Sequence, residues 1–194
     1  MAEIKSTMEM VLERAARMAA EAPDVSSNDD DLEAGMRLAA EFLRDNGPSL
    51  METLENQTAK SQMEMRKGMV RTLLRNVVLP RNEELQATGK KALKAIVELN
   101  ANSAEIGSIC HELQQILEQY SQHKQQMTQQ FEQALIGQIQ QQLMAAGQEV
   151  PDNLSAAMHP KYQEELGKVT ADLNNQYNDA MDQRKDFVLQ HISG

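Results

Sequence analysis

The sequence has no tryptophan and only three phenylalanines and three tyrosines, which argues against a thick globular core built on large rings. Its single cysteine, Cys110, rules out an internal disulfide framework and fits a reducing compartment. With nine glycines and five prolines in 194 residues, there are few places where the chain is told to turn. β-branched residues are sparse and never alternate over the length of a strand, so no sheet is expected. No apolar run reaches membrane-spanning length, and the start lacks the basic residues, apolar run and small-residue cleavage site of a secretory signal. The expectation is a cytoplasmic protein with no membrane contact.

Ala, Leu, Met, Gln, Glu, Lys and Arg, which lose little on entering a helix, make up most of the chain. The expected class is all-α: an elongated helical hairpin or coiled-coil-like bundle built around one very long central helix. That spine is predicted from Asn82 to Ala146, where no proline occurs and Ile106, Ile109, Leu113, Ile116, Tyr120, Met127, Phe131 and Leu135 recur at steps of three and four. About 65 residues at 1.5 Å each would span on the order of 95 Å. Gly89, Gly107 and Gly137 are its expected weak points, since each glycine costs about 1 kcal/mol relative to alanine inside a helix.

Around the spine the pattern predicts two units, an N-terminal helical pair over 1–46 and a long bundle over 49–194. The pair comprises a helix over Ala2–Ala20, a polar loop from Ala22 to Asp31, and a helix over Asp31–Asn46 stopped by Gly47, free to take a left-handed cap, and Pro48. In the bundle, Ser49 caps a third helix over 49–79 that ends at Pro80, and Asn82 caps the spine with Glu83 and Glu84 at its positive end. A turn over Gly147–Asp152 leads to a return helix over about 161–192. The return helix should fold back antiparallel, with Tyr162 near Ile136 and Phe187 near His111. The third helix should cover the first half of the spine, with Leu73 near Thr88 and Leu54 near Gly107.

The formal charge of −10 argues against general affinity for nucleic acid or anionic membranes. Yet residues Lys60 to Lys94 hold nine basic side chains against three acidic ones. Lys67, Arg71 and Arg75 stand in a row at four-residue spacing on one helix face, with Lys90 and Lys91 further on, and these five are the candidate anion or partner contact. The patch has no interleaved aromatics, so a solvated face paired with the acidic remainder, or with a second copy, is the favoured reading over nucleic acid. The thirteen Gln between Gln114 and Gln142 alternate with apolar residues and suit an uncharged helix surface.

Catalytic and metal chemistry find no foothold. Cys110 and His111 are neighbours and point about 100° apart on a helix, and there is no Glu-x-x-His, His-Glu-x-x-His or Cys-x-x-Cys. Thr88, Gly89, Lys90 and Lys91 echo the end of a phosphate loop, but Glu84 stands where the first glycine is needed. No enzyme, metal or cofactor is expected.

Two stretches carry a resemblance. Ile4, Lys5, Ser6, Thr7, Met8 and Glu9, followed by Val11, Leu12, Glu13 and Arg14, resemble the opening of an uncharacterised family of bacterial helical proteins of unknown function. Gly147, Val150, Asn153, Leu154, Pro160, Tyr162, Leu166 and Tyr177 resemble the turn and final helix of the same family. The resemblance implies a helical protein throughout and supplies no site. The function expected from the residues is protein–protein interaction, as a scaffold or assembly protein that uses long amphipathic helices, with a homodimer as the anticipated form; the alternative is polyanion or nucleic-acid binding through Lys60 to Lys94.

Overall fold

The computed structural model describes residues 25–101 and 103–193. The described residues are helical, with no strand: α1 Val25–Leu43, α2 Leu50–Glu55, α3 Ala59–Arg75, α4 Glu83–Leu99, α5 Ala104–Ala145, a 3₁₀ turn Ala156–Met158, and α6 Tyr162–Ser193. The class is all-α, with α5, at 42 residues, as its long central helix. The predicted helix over Ala2–Ala20 lies outside the described residues.

The spine is broken once, and at none of its glycines. Gly89 lies inside α4, and Gly107 and Gly137 lie inside α5. The chain turns between Asn100 and Ser103, where asparagine competes for the helix backbone: Asn100 Nδ2 donates to the Ile96 carbonyl at 2.7 Å, and its backbone N–H reaches the same oxygen. Ala101 then adopts φ 51°, a left-handed conformation, and Ser103 opens α5. Freed by this turn, α4 doubles back on α5, bringing Lys90 to Glu118 at 3.2 Å and Gly89 alongside Leu117. The start of the predicted spine therefore covers the first half of α5. The third-helix segment does pack on the start of the spine, since α2 and α3 both contact α4, but among the described residues Leu54 and the rest of α2 pack on α1, α3 and α4, with no contact to Gly107.

Three other boundaries differ from the sequence reading. The predicted loop from Ala22 to Asp31 is helical from Val25 onward. The predicted third helix is two, because Thr58 turns out of the ladder and caps α3, its Oγ1 accepting from Ser61 N at 3.4 Å. The left-handed residue after α1 is Asp45 (φ 59°) rather than Gly47. Where a capping residue was read correctly, the bond is present: Asn82 Oδ1 accepts from Leu85 N at 2.9 Å, and Ser49 Oγ from Glu52 N at 3.5 Å.

α1 and α3 cross closely enough for backbone to touch backbone. A Cβ on Gly35 would stand 2.1 Å from the Met65 carbonyl oxygen, and one on Gly68 would stand 2.0 Å from that of Leu32. Paired glycines let two helices approach until dispersion between main chains replaces side-chain packing. Through this crossing Ala39 joins one buried cluster with Leu50, Leu73, Ile96, Leu113 and Val188, so the described part of the predicted N-terminal pair shares its core with the bundle.

The outcome is a head and an arm. α1 to α4, the first half of α5 and the last half of α6 form the head, which holds nearly all the buried side chains. The second half of α5 continues outward, turns through Gly147 (φ 68°) and the 3₁₀ segment, and returns as the first half of α6. The fold-back register lies within about a turn of expectation: Tyr162 meets Phe131 and Glu132, and Arg184 and His191 meet Glu112 and Glu105.

Cys110 is buried where α5 faces α4, and burial pushes its thiol up to about 11.

Three outcomes check this account. Gly68→Ala should lower the denaturation free energy by about 3 kcal/mol, because the methyl meets backbone; Gly167→Ala, where an added Cβ meets nothing within 4 Å, should raise it by about 0.5–1 kcal/mol. Ala101→Gly should stabilise by roughly 1 kcal/mol through relief of the left-handed strain, measured in the same titration. The folded Cys110 thiol titrates above its ordinary value of 9.0, so its contribution is intact below that pH and is lost as pH climbs through about 11; Cys110→Ala should lack this alkaline loss, and the native thiol should resist alkylation at pH 7.

Candidate functional site

The five basic candidates are not brought together. Lys67 pairs with Glu64 at 3.0 Å one turn away on α3. Lys90 crosses to Glu118 of α5, whose carboxyl is held below the usual range first by the Gln114 side-chain hydrogen bond and then by Lys90. Lys91 faces the opposite way, over the Phe42 ring and onto the Phe42 carbonyl and Asp45, where it ties α4 to the end of α1. Three of the five therefore act as internal fasteners.

Arg71 and Arg75 have no ion pair among the described residues. They line a cleft between α3 and α6 with Leu74, Asp182, Lys185 and Asp186. Lys185 is half-buried there: desolvation lowers its pKa, and Asp182, 3.8 Å away, opposes that shift. The cleft thus holds charges of both signs and has no single-signed field suited to a nucleic-acid backbone. The acidic residues that share the cleft with Arg71 and Arg75, Asp182 and Asp186, come from α6, far along the sequence, and so could not be read from local spacing.

The arm is the second candidate, and sequence pattern located it better than it located its chemistry. Its seam is lined by hydrogen-bonded aromatics. Tyr120 Oη donates to Asn174 Oδ1 and Tyr162 Oη to Glu132 Oε1, both at 2.7 Å. Tyr120 stacks edge-on with Tyr177 at 5.4 Å, and Phe131 lies over Tyr162 at 6.0 Å. Burial raises the Tyr120 hydroxyl, against a weaker opposing pull from Arg81, and acceptance by Glu132 raises that of Tyr162. Both phenols are therefore held as donors. The three tyrosines at helical spacing were the signal for this seam, whereas the polar partners Asn174 and Glu132 gave none.

Beyond the head the arm is thinly covered. From Phe131 to Tyr162 only Leu135 and Ala156 are buried, while Met144 is 67 % and Met158 is 57 % exposed. Along α5 and its following turn, from Gln125 to Gln148, Glu132 is the one charged residue. At the arm's base, Arg81 and Lys124 line a groove where the start of α4 meets α5.

Among the described residues no group of three or more His, Cys, Asp or Glu could hold a metal ion, and no helix is long and apolar enough to cross a membrane. No curated protein and no solved structure matches the chain. A protein-family model does match, over residues 51–190, running from α2 into the last turns of α6. The Gly147 to Tyr177 resemblance falls inside that span, and the Ile4 to Arg14 resemblance falls outside it. The chain belongs to the Family of unknown function (DUF6657).

Proposed function

We propose that the chain is a non-catalytic interaction protein, a scaffold or assembly factor that works in the cytoplasm and presents the α5–α6 arm to other protein chains. One observation carries this reading: the arm projects an apolar stripe that two helices alone cover only in part, ending in the exposed Met144 and Met158. Among the described residues each arm helix has one helical neighbour and the 3₁₀ turn beyond the head, which leaves part of its apolar stripe uncovered. Methionine, flexible and polarisable, suits a surface that adapts to a partner. The alternative, polyanion binding through Lys60 to Lys94, has weaker support, since Lys67, Lys90 and Lys91 are already paired within the chain.

A photo-crosslinking residue placed at the exposed Gln138 of the arm should capture another protein chain in whole-cell extract, and the same residue at the exposed Glu55 of the head should not. Capture at neither position would overturn the reading.

A further inference from the structure

The arm's charge and dimensions select an occupant. We propose that the arm is a homodimerisation device in which two copies overlap their arms antiparallel to form a four-helix bundle. This rests on the interaction reading above and names the partner as a second copy of the chain.

Charge gives the first reason. Two chains of net charge −10 repel wherever ordinary surface meets ordinary surface. The repulsion is least along the α5 side of the arm, Gln125 to Gln148, where the single charge, Glu132, already accepts a hydrogen bond from Tyr162. The α6 side carries Glu164, Glu165, Lys168 and Asp172, with Lys168 paired to Glu164. Glutamine there solvates a free arm and hydrogen-bonds across a paired one without bringing charge to the contact.

Direction follows from the two ends. The tip carries Glu149 and Asp152, both exposed; the base carries Arg81 and Lys124, with one carboxylate, Glu83, in the groove beside α4. Parallel overlap would set acidic tip against acidic tip. Antiparallel overlap sets each tip against the other copy's Arg81 and Lys124, which outnumber Glu83 there, so opposite charges meet twice about one two-fold axis. The free arm and the overlap have the same length, so each tip stops where the other head begins.

Area supplies the third reason. From Lys124 to the end of α5 at Ala145 is about 22 residues, or roughly 33 Å of helix, and two helices side by side are about 20 Å wide. That face is on the order of the 800 Å² per partner that a stable protein interface buries. Ile136, Ile139 and Leu143, half-covered in the single chain, would complete their burial there, with the exposed Met144 and Met158 packing at the ends.

The test is mass by light scattering on the full chain from about 1 to 100 μM, the range over which micromolar association reads out. The expected result is twice 21.7 kDa. Arg81→Glu with Lys124→Glu should weaken the dimer about tenfold, and adding Glu149→Lys with Asp152→Lys to that variant should restore it, with helical content unchanged by circular dichroism. A monomer throughout, or a dimer indifferent to the base reversal, overturns the proposal. A monomer whose Gln138 still captures a different protein sinks the homodimer and leaves the interaction reading standing; a monomer with no capture sinks both.

Discussion

A helix of 42 residues exposes more apolar length than the shorter helices beside it can hide, and the rest of the molecule follows from where cover is found. α5 can shed water from its stripe only where another stripe lies against it. Near its start it has two such neighbours, α4 and α6, and there Ile106, Leu113 and Leu117 are buried. Further out only α6 and the 3₁₀ turn remain among the described residues, and Phe131 and Ile139 stay half-covered. Head and arm are therefore the covered and uncovered stretches of the same helix.

Polar contacts in this arrangement set register more than they supply stability. The Lys90–Glu118, Arg184–Glu112 and His191–Glu105 pairs are substantially exposed, and exposed pairs contribute about 0–1 kcal/mol each. Each nonetheless permits one alignment of two long helices that apolar packing alone would let slide by a turn. The tyrosine bonds to Asn174 and Glu132 do the same further along the arm.

The helical class, the turn at Gly147 and the antiparallel return of α6 were legible because each depends on local signals: stripe periodicity, a glycine beside a proline-containing turn, and the need of two adjacent stripes for each other. The break at Asn100 was not, since it carries neither glycine nor proline and places its left-handed residue on an alanine. Thr58 lies inside the predicted third helix and proved to be a cap, a choice that spacing cannot make because threonine serves either within a helix or at its start. The Gly35 and Gly68 crossing was invisible for another reason: these residues matter through what their missing side chains allow between segments distant in sequence. Lys67, Arg71 and Arg75 all lie on α3, but the cleft that Arg71 and Arg75 line is completed by α6 and lies outside any local pattern.

The continuity of α5 has a mechanical consequence. Its first turns are fixed in the head by Ile106 and Leu113, and its last turns form the outer arm, with no proline, bulge or cap between them. An unbroken helical ladder couples its two ends, and the coupling is softest at Gly137 and where the Ser121 and Thr128 hydroxyls bond back to the Leu117 and Lys124 carbonyls. A displacement at Met144 is thus passed along one continuous helix toward the wall around Cys110, where a jointed linker would have let the two ends move independently.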